Sequence, residues 1–182
     1  MSKVGIAFAA AIPAGIVFGL LLRVVMGIIA FGFPEFSTGF HWSALLLLTI
    51  LGTLVLLGNS LIYALVRRWL PRYWAGSGLV YGTICAIVYG TPFYLSNPGG
   101  ELFGPQAFLG ISLFTLLFIW GGFSLAWSID VLERWVGSGQ RMRIRLANVS
   151  FVILVLPALG ILFALGHEIV TEMIPEIRSN WQ

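Results

Sequence analysis

Eight of the ten basic residues lie on one side of an alternation that runs the length of the chain. Long apolar segments are broken by short polar stretches. Lys3, then Arg67, Arg68 and Arg72, then Arg134, Arg141, Arg143 and Arg145 occupy alternate breaks. Glu35, Glu101, Glu168, Glu172 and Glu176 occupy the others. Basic residues gather beside the cytoplasmic ends of membrane spans, so one pattern predicts class, span number and orientation together. The expectation is a multi-pass membrane protein with a cytoplasmic N-terminus and a C-terminus on the outer face.

Composition agrees. With 59% hydrophobic and 9% charged residues, the chain falls far below the roughly 25% charged residues of a soluble domain. A soluble fold of this size could not hide so much apolar surface. The net charge of +3 is the positive-inside pattern and not a nucleic-acid footprint. Cys85 is the single cysteine, which excludes an internal disulfide, a CxxC redox pair and a cysteine metal cluster. The first apolar run exceeds the core of a cleaved signal and is read as a span.

A helix needs about 20 apolar residues to cross the hydrocarbon layer. Five segments qualify: 4–33, 42–66, 73–95, 106–129 and 146–166. None alternates with period two, which excludes barrel strands. The predicted fold is an all-α bundle of five transmembrane helices, one domain over residues 1–182. Pro34, Pro71, Pro92, Pro98, Pro105 and Pro175 lie at or near span ends, and Pro13 and Pro157 lie within helices. Trp42, Trp69, Trp74, Trp135 and Trp181 fall at the two interfaces, where indole rings are favoured. Residues 167–182 form an outer-face tail, with Val170, Met173, Ile174, Ile177 and Trp181 as an apolar stripe and three glutamates on another face.

The spans carry a trace of duplication. Ala14-Gly15-Ile16-Val17-Phe18-Gly19 matches Ser77-Gly78-Leu79-Val80-Tyr81-Gly82 in size class. The second and fourth spans both lead into Arg-Trp, at Arg68-Trp69 and Arg134-Trp135. Two parallel helical-hairpin repeats plus a fifth helix would produce this pattern, as would chance among apolar residues. Gly15, Gly19, Gly78, Gly82, Ala86 and Gly90 make small-residue stripes at four-residue spacing. They allow close helix packing, within the monomer or in a homo-oligomer.

A few polar groups stand out. Arg23 sits about 30 Å up a first helix that starts at Val4, with apolar sequence continuing beyond it. An ion pair with Glu35 or Glu101, or snorkelling to the headgroups, would accommodate it. Asn59 lies inside the second span, as interhelical glue or as part of a polar path with Arg23 and the outer carboxylates. His41 and His167 fall at outer helix ends, where paired imidazoles could hold a b-type haem or a metal. Two interfacial histidines without a ligand are the plainer reading. Thr171 stands where a zinc-protease helix would need its second histidine. No catalytic constellation, metal-ligand set, P-loop or dinucleotide fingerprint is present, and the sequence leaves the cofactor open.

Arg23, Met26 and Ala30, then Pro34-Glu35-Phe36, Arg68 with Leu70-Pro71, Gly78-Leu79 with Tyr81-Gly82, and Pro105 leading to Gly110 and Leu113-Phe114 resemble a set of small polytopic, uncharacterised bacterial membrane proteins. The resemblance covers the first four spans. It implies a bacterial inner membrane and carries over no activity and no catalytic residue. The resulting functional expectation is a non-catalytic integral membrane subunit or assembly factor, probing the bilayer and neighbouring subunits with seven tryptophans and fourteen phenylalanines. Two alternatives stand beside it: an oligomeric transporter or channel for a small solute or ion, and a haem- or quinone-binding electron-transfer subunit.

Overall fold

The computed structural model describes residues 2–33, 41–96, 104–137 and 141–180. They are helical almost throughout, with no strand among them. Five helices are long and apolar enough to cross a membrane. Helix α1 is Ser2–Gly32. Helix α2 is Trp42–Val66, closed by a 3-10 turn at Arg67–Trp69. Helix α3 is Trp74–Ser96, α4 is Ala107–Gly137, and α5 begins at Arg141–Glu168 and continues to Asn180. Glu35, Glu101 and Trp181 lie outside the described residues.

Helix α1 is the centre of the bundle and packs against α2, α4 and α5, while α3 lies mainly on α4. The interior is apolar around Phe8, Phe18, Ile29, Leu125 and Ile129. Two crossings bring backbones together. At Gly52 an added Cβ would lie 2.7 Å from the Gly19 nitrogen and 3.0 Å from the Gly15 oxygen. At Gly122 it would meet the same atoms of Gly82 and Gly78, at 2.5 Å from the Gly82 Cα and 2.7 Å from the Gly78 oxygen. Gly19 in turn faces the Thr49 Cα, and Gly82 the Ile119 Cα. The shift that carries Gly52 to Gly122 also carries Thr49 to Ile119 and Thr53 to Phe123. The α1–α2 and α3–α4 hairpins therefore cross in one register. That register sets Arg134 opposite Ala64, so the Arg68-Trp69 and Arg134-Trp135 pairs stand one helical turn out of correspondence.

Two prolines expected at or near span ends lie inside helical structure. The π turn Ala86–Gly90 precedes Pro92, and the π turn Ile169–Met173 precedes Pro175 at the same offset. A proline ring clashes with the carbonyl four residues back. For Pro92 and Pro175 those carbonyls belong to Val88 and Thr171, both within the widened turns, which lets the helix continue past the ring. The two segments then pack together, Thr91–Ser96 against Ile169–Asn180. The π turn also ends the small-residue stripe of α3. Gly78 and Gly82 meet α4, whereas Gly90 faces the ring of its own neighbour Tyr94.

Helix α4 runs beyond the apolar segment that ends at Ile129, to Gly137, because Asp130 and Arg134 pair one turn apart and prolong it. Helix α5 packs on α1 and then on α2. Ala147 meets Gly5, Phe151 stacks on Phe8 at 6.3 Å, and Ile161 and Leu162 rest on Gly58 of α2. Its last turns reach α3. In that segment Met173 and Ile177 are half-buried and Val170 and Ile174 exposed, so the apolar stripe expected of the tail is divided between two surroundings.

Candidate functional site

Polar groups collect at the end of the bundle where Lys3, Arg67 and Arg134 lie. The end of α2, the start of α3 and the end of α4 meet there around a cavity of about 750 Å³. Lys3, Arg67, Arg68, Arg72, Asp130 and Glu133 line it, together with Trp74 and Ser77. Arg67 forks onto Glu133, with Nη2 donating to Oε2 at 2.8 Å and Nη1 to Oε1. This paired geometry fixes the end of α2 against α4 and is the favourable form for guanidinium and carboxylate. Arg134 donates to Asp130 on its own helix. Arg68 lies over the Trp69 ring at 3.9 Å, a cation–π contact.

A ladder of hydroxyls rises from this cavity into the bundle. Ser77 Oγ donates to the Trp74 carbonyl at 3.0 Å, which leaves Tyr63 to donate to Ser77 Oγ at 2.7 Å. Tyr63 meets Tyr81 edge to face with centroids 5.1 Å apart. The Tyr81 hydroxyl donates to Asn59, at 2.8 Å from its carbonyl and 3.0 Å from Oδ1. Asn59 Nδ2 donates to the Val55 carbonyl at 3.0 Å, and Cys85 Sγ lies 3.6 Å from Oδ1. Asn59, Ser77 and Tyr81 are all buried. No buried side-chain nitrogen or oxygen among the described residues lacks a partner. Beside Asn59 is a void of about 20 Å³, room for about one water.

Such a ladder joins α2 to α3 where their backbones stay apart. It holds two helices by directional bonds where dispersion between close backbones is absent. Interhelical bonds of this kind average about 0.6 kcal/mol and reach about 1.7 kcal/mol. Tyr81→Phe is therefore expected to lower unfolding free energy by about 0.6 kcal/mol. Asn59→Leu should do more damage, because it removes the Val55 bond and the Oδ1 contacts of Tyr81 and Cys85 together, leaving Tyr81 only its bond to the backbone carbonyl. Reversible unfolding in mixed micelles would measure both; equal effects would contradict the ladder as described.

The residues singled out in the sequence are dispersed. Asn59 joins the ladder, but Arg23 does not. Arg23 is half-buried and has interactions of its own. From the Gly19–Thr49 crossing, it stands about 20 Å from Asn59 along the helix axes. Its candidate partners Glu35 and Glu101 lie outside the described residues. His41 precedes α2 and is exposed, with no side-chain capping bond. His167 is exposed, 3.2 Å from Thr171 Oγ1 and tilted on Phe163 at 6.2 Å. No group of three or more His, Cys, Asp or Glu among the described residues is placed to hold a metal.

Glu133, Asp130, Tyr63, Ser77 and Tyr81 were not legible as a group. The available signal was Asp130 and Glu133 themselves, two acids on the basic side of the charge alternation, with Arg134 at helical spacing. No protein-family profile, curated protein or solved structure matches the chain.

Proposed function

We propose that the chain is a five-span protein of a bacterial cytoplasmic membrane, N-terminus inside and C-terminus outside. Its role is that of a non-catalytic subunit or assembly factor of a larger membrane complex. The observation that carries this reading is the imbalance of burial. About a third of the most apolar stretch is buried in α1, α2 and α4, at 33% each, and only 6% in α5. Val149, Ile153, Leu156 and Phe163 of α5, all before the π turn, are exposed at spacings of four, three and seven residues, in coiled-coil register. Gly160 falls on that face with no atom within 4 Å of an added Cβ. The closed ladder accords with a scaffold. The matched glycine crossings support two parallel hairpin repeats, with α5 as an addition that turns an unused face to a neighbour.

Gentle detergent extraction should recover the chain with other membrane proteins. Leu156→Ala with Phe163→Ala should release them while leaving a folded chain. A wild-type chain recovered as a lone monomer overturns the reading. Orientation has its own test, helped by the burial of Cys85. Arg178→Cys should react with an impermeant maleimide on intact cells, and Gly137→Cys only after permeabilisation; the reverse pattern contradicts the assigned topology.

One observation favours the transport alternative, namely that the ladder opens at the basic cavity. It ends at Cys85, in a void also walled by Phe18 and Phe118, so passage would require these helices to separate. Loss of flux in Asn59→Leu with folded protein retained would establish that reading in place of the scaffold.

A further inference from the structure

The charged cavity shares a wall with an apolar hollow. Trp74 lines both, and the hollow, of about 320 Å³, is also lined by Pro13 and Val17 of α1 and Trp127 of α4. Trp120 and Phe123 wall that hollow and continue into a further one of about 520 Å³, bounded by Leu21, Val25, Leu79 and Leu113. The groove thus has a cationic mouth, an indole at the boundary, an aromatic throat and an aliphatic far end. From Ser128 to Leu113 it follows α4 for about 22 Å, the scale of an extended long acyl chain.

Charge at the mouth is unbalanced. Its two carboxylates, Glu133 and Asp130, already form ion pairs with Arg67 and Arg134. Lys3, Arg68 and Arg72 line the same cavity and are exposed. Among the described residues no carboxylate pairs with these three. A surplus of cations at one end and an almost wholly apolar wall beyond it match a single kind of occupant. A transmembrane helix from another chain would have no use for the cationic mouth, and a free anion would have no use for the groove.

We propose that this groove binds one anionic phospholipid, with its phosphate among Lys3, Arg68 and Arg72, its headgroup boundary at Trp74 and one acyl chain along α4 between α1 and α3. Basic pockets between helices on the cytoplasmic side suit such headgroups. The site is separate from the exposed face of α5. It rests on the membrane reading above, which recovery of the chain in washed, salt-stripped membranes tests independently before any lipid is added.

The test uses the purified full chain, delipidated in neutral detergent, and reads tryptophan quenching by brominated-chain phosphatidylglycerol or phosphatidylcholine. The anionic lipid should quench at about tenfold lower concentration, since each nearby basic residue adds a severalfold attraction. The triple variant Lys3→Gln, Arg68→Gln, Arg72→Gln should lose that preference and keep its quenching by phosphatidylcholine. Val17→Phe, which narrows the throat without altering charge, should weaken the anionic lipid as well. Inorganic phosphate and glycerol phosphate at constant ionic strength should fail to displace the lipid. Equal quenching by the two lipids, a preference that survives the triple variant, or full displacement by inorganic phosphate would each overturn the assignment.

Discussion

Gly52→Leu and Gly122→Leu are each expected to remove most folded protein, and to lower the melting temperature of what remains by about 10 °C or more. Over-packing a filled interior usually costs about 1–3 kcal/mol because neighbouring side chains shift. Here the neighbours are backbone atoms of Gly19 and Gly15 in one case, and of Gly82 and Gly78 in the other. Two helices must separate along their length to admit a branched side chain. Gly160→Leu provides the comparison, since an added Cβ there meets nothing within 4 Å. It should change monomer stability by no more than about 0.5 kcal/mol. Because Gly160 lies on the exposed face of α5, the same substitution should still disturb assembly with a partner. Thermal unfolding followed by near-ultraviolet circular dichroism would separate these outcomes. A normal melting temperature in either crossing variant would remove the close contact from the fold.

The equal severity expected at Gly52 and Gly122 follows from their equivalent positions, and this is where the internal repeat has physical content. Close helix approach without a hydrophobic driving force depends on small residues in correct register. A size pattern such as Gly15-xxx-Gly19 and Gly78-xxx-Gly82 is therefore retained when the remaining apolar residues drift. The Arg-Trp pairs follow a weaker requirement. They need only reach an interface, and a displacement of one turn is tolerated there.

This difference explains how much could be read beforehand. Apolar length and charge sign are properties of each segment alone, so all five helices were legible, and α1 to α3 within a residue or two; α5 was not, since it continues past the expected end at residue 166 to Asn180. The end of α4 was less so, because Asp130, Glu133 and Arg134 resemble a loop until their pairing is known. The π turns were hidden for a related reason. Pro92 and Pro175 mark where a straight helix would fail, but packing of Thr91–Ser96 against Ile169–Asn180 determines that the chain widens and continues. Asn59 was visible as a polar residue in an apolar span. Its partners Tyr81 and Cys85 lie on another helix, and single-chain spacing carries no trace of that contact. The lipid groove is still further from the sequence, since its walls come from α1, α3 and α4 together.

Reversing one charge of the Arg67–Glu133 pair should be damaging, and reversing both should restore most of the loss. Arg67→Glu would place three carboxylates around the cavity mouth, with Glu133 and Asp130. Glu133→Arg would set a third guanidinium near Arg67 and Arg134. Breaking a fully buried pair costs about 3–5 kcal/mol. The two side chains here are 38% and 27% exposed, so solvent screening should reduce each single effect to about 2 kcal/mol. The double reversal should recover at least about 1 kcal/mol relative to additivity. Raising ionic strength should shrink the single penalties, as expected for a pair at the edge of the bundle. The restoration matters more than the loss. Any charge placed at a helix end can destabilise, but rescue requires the end of α2 to face the end of α4. That contact is possible only if both hairpins run in the same direction. Strictly additive single and double effects would therefore contradict the ion pair.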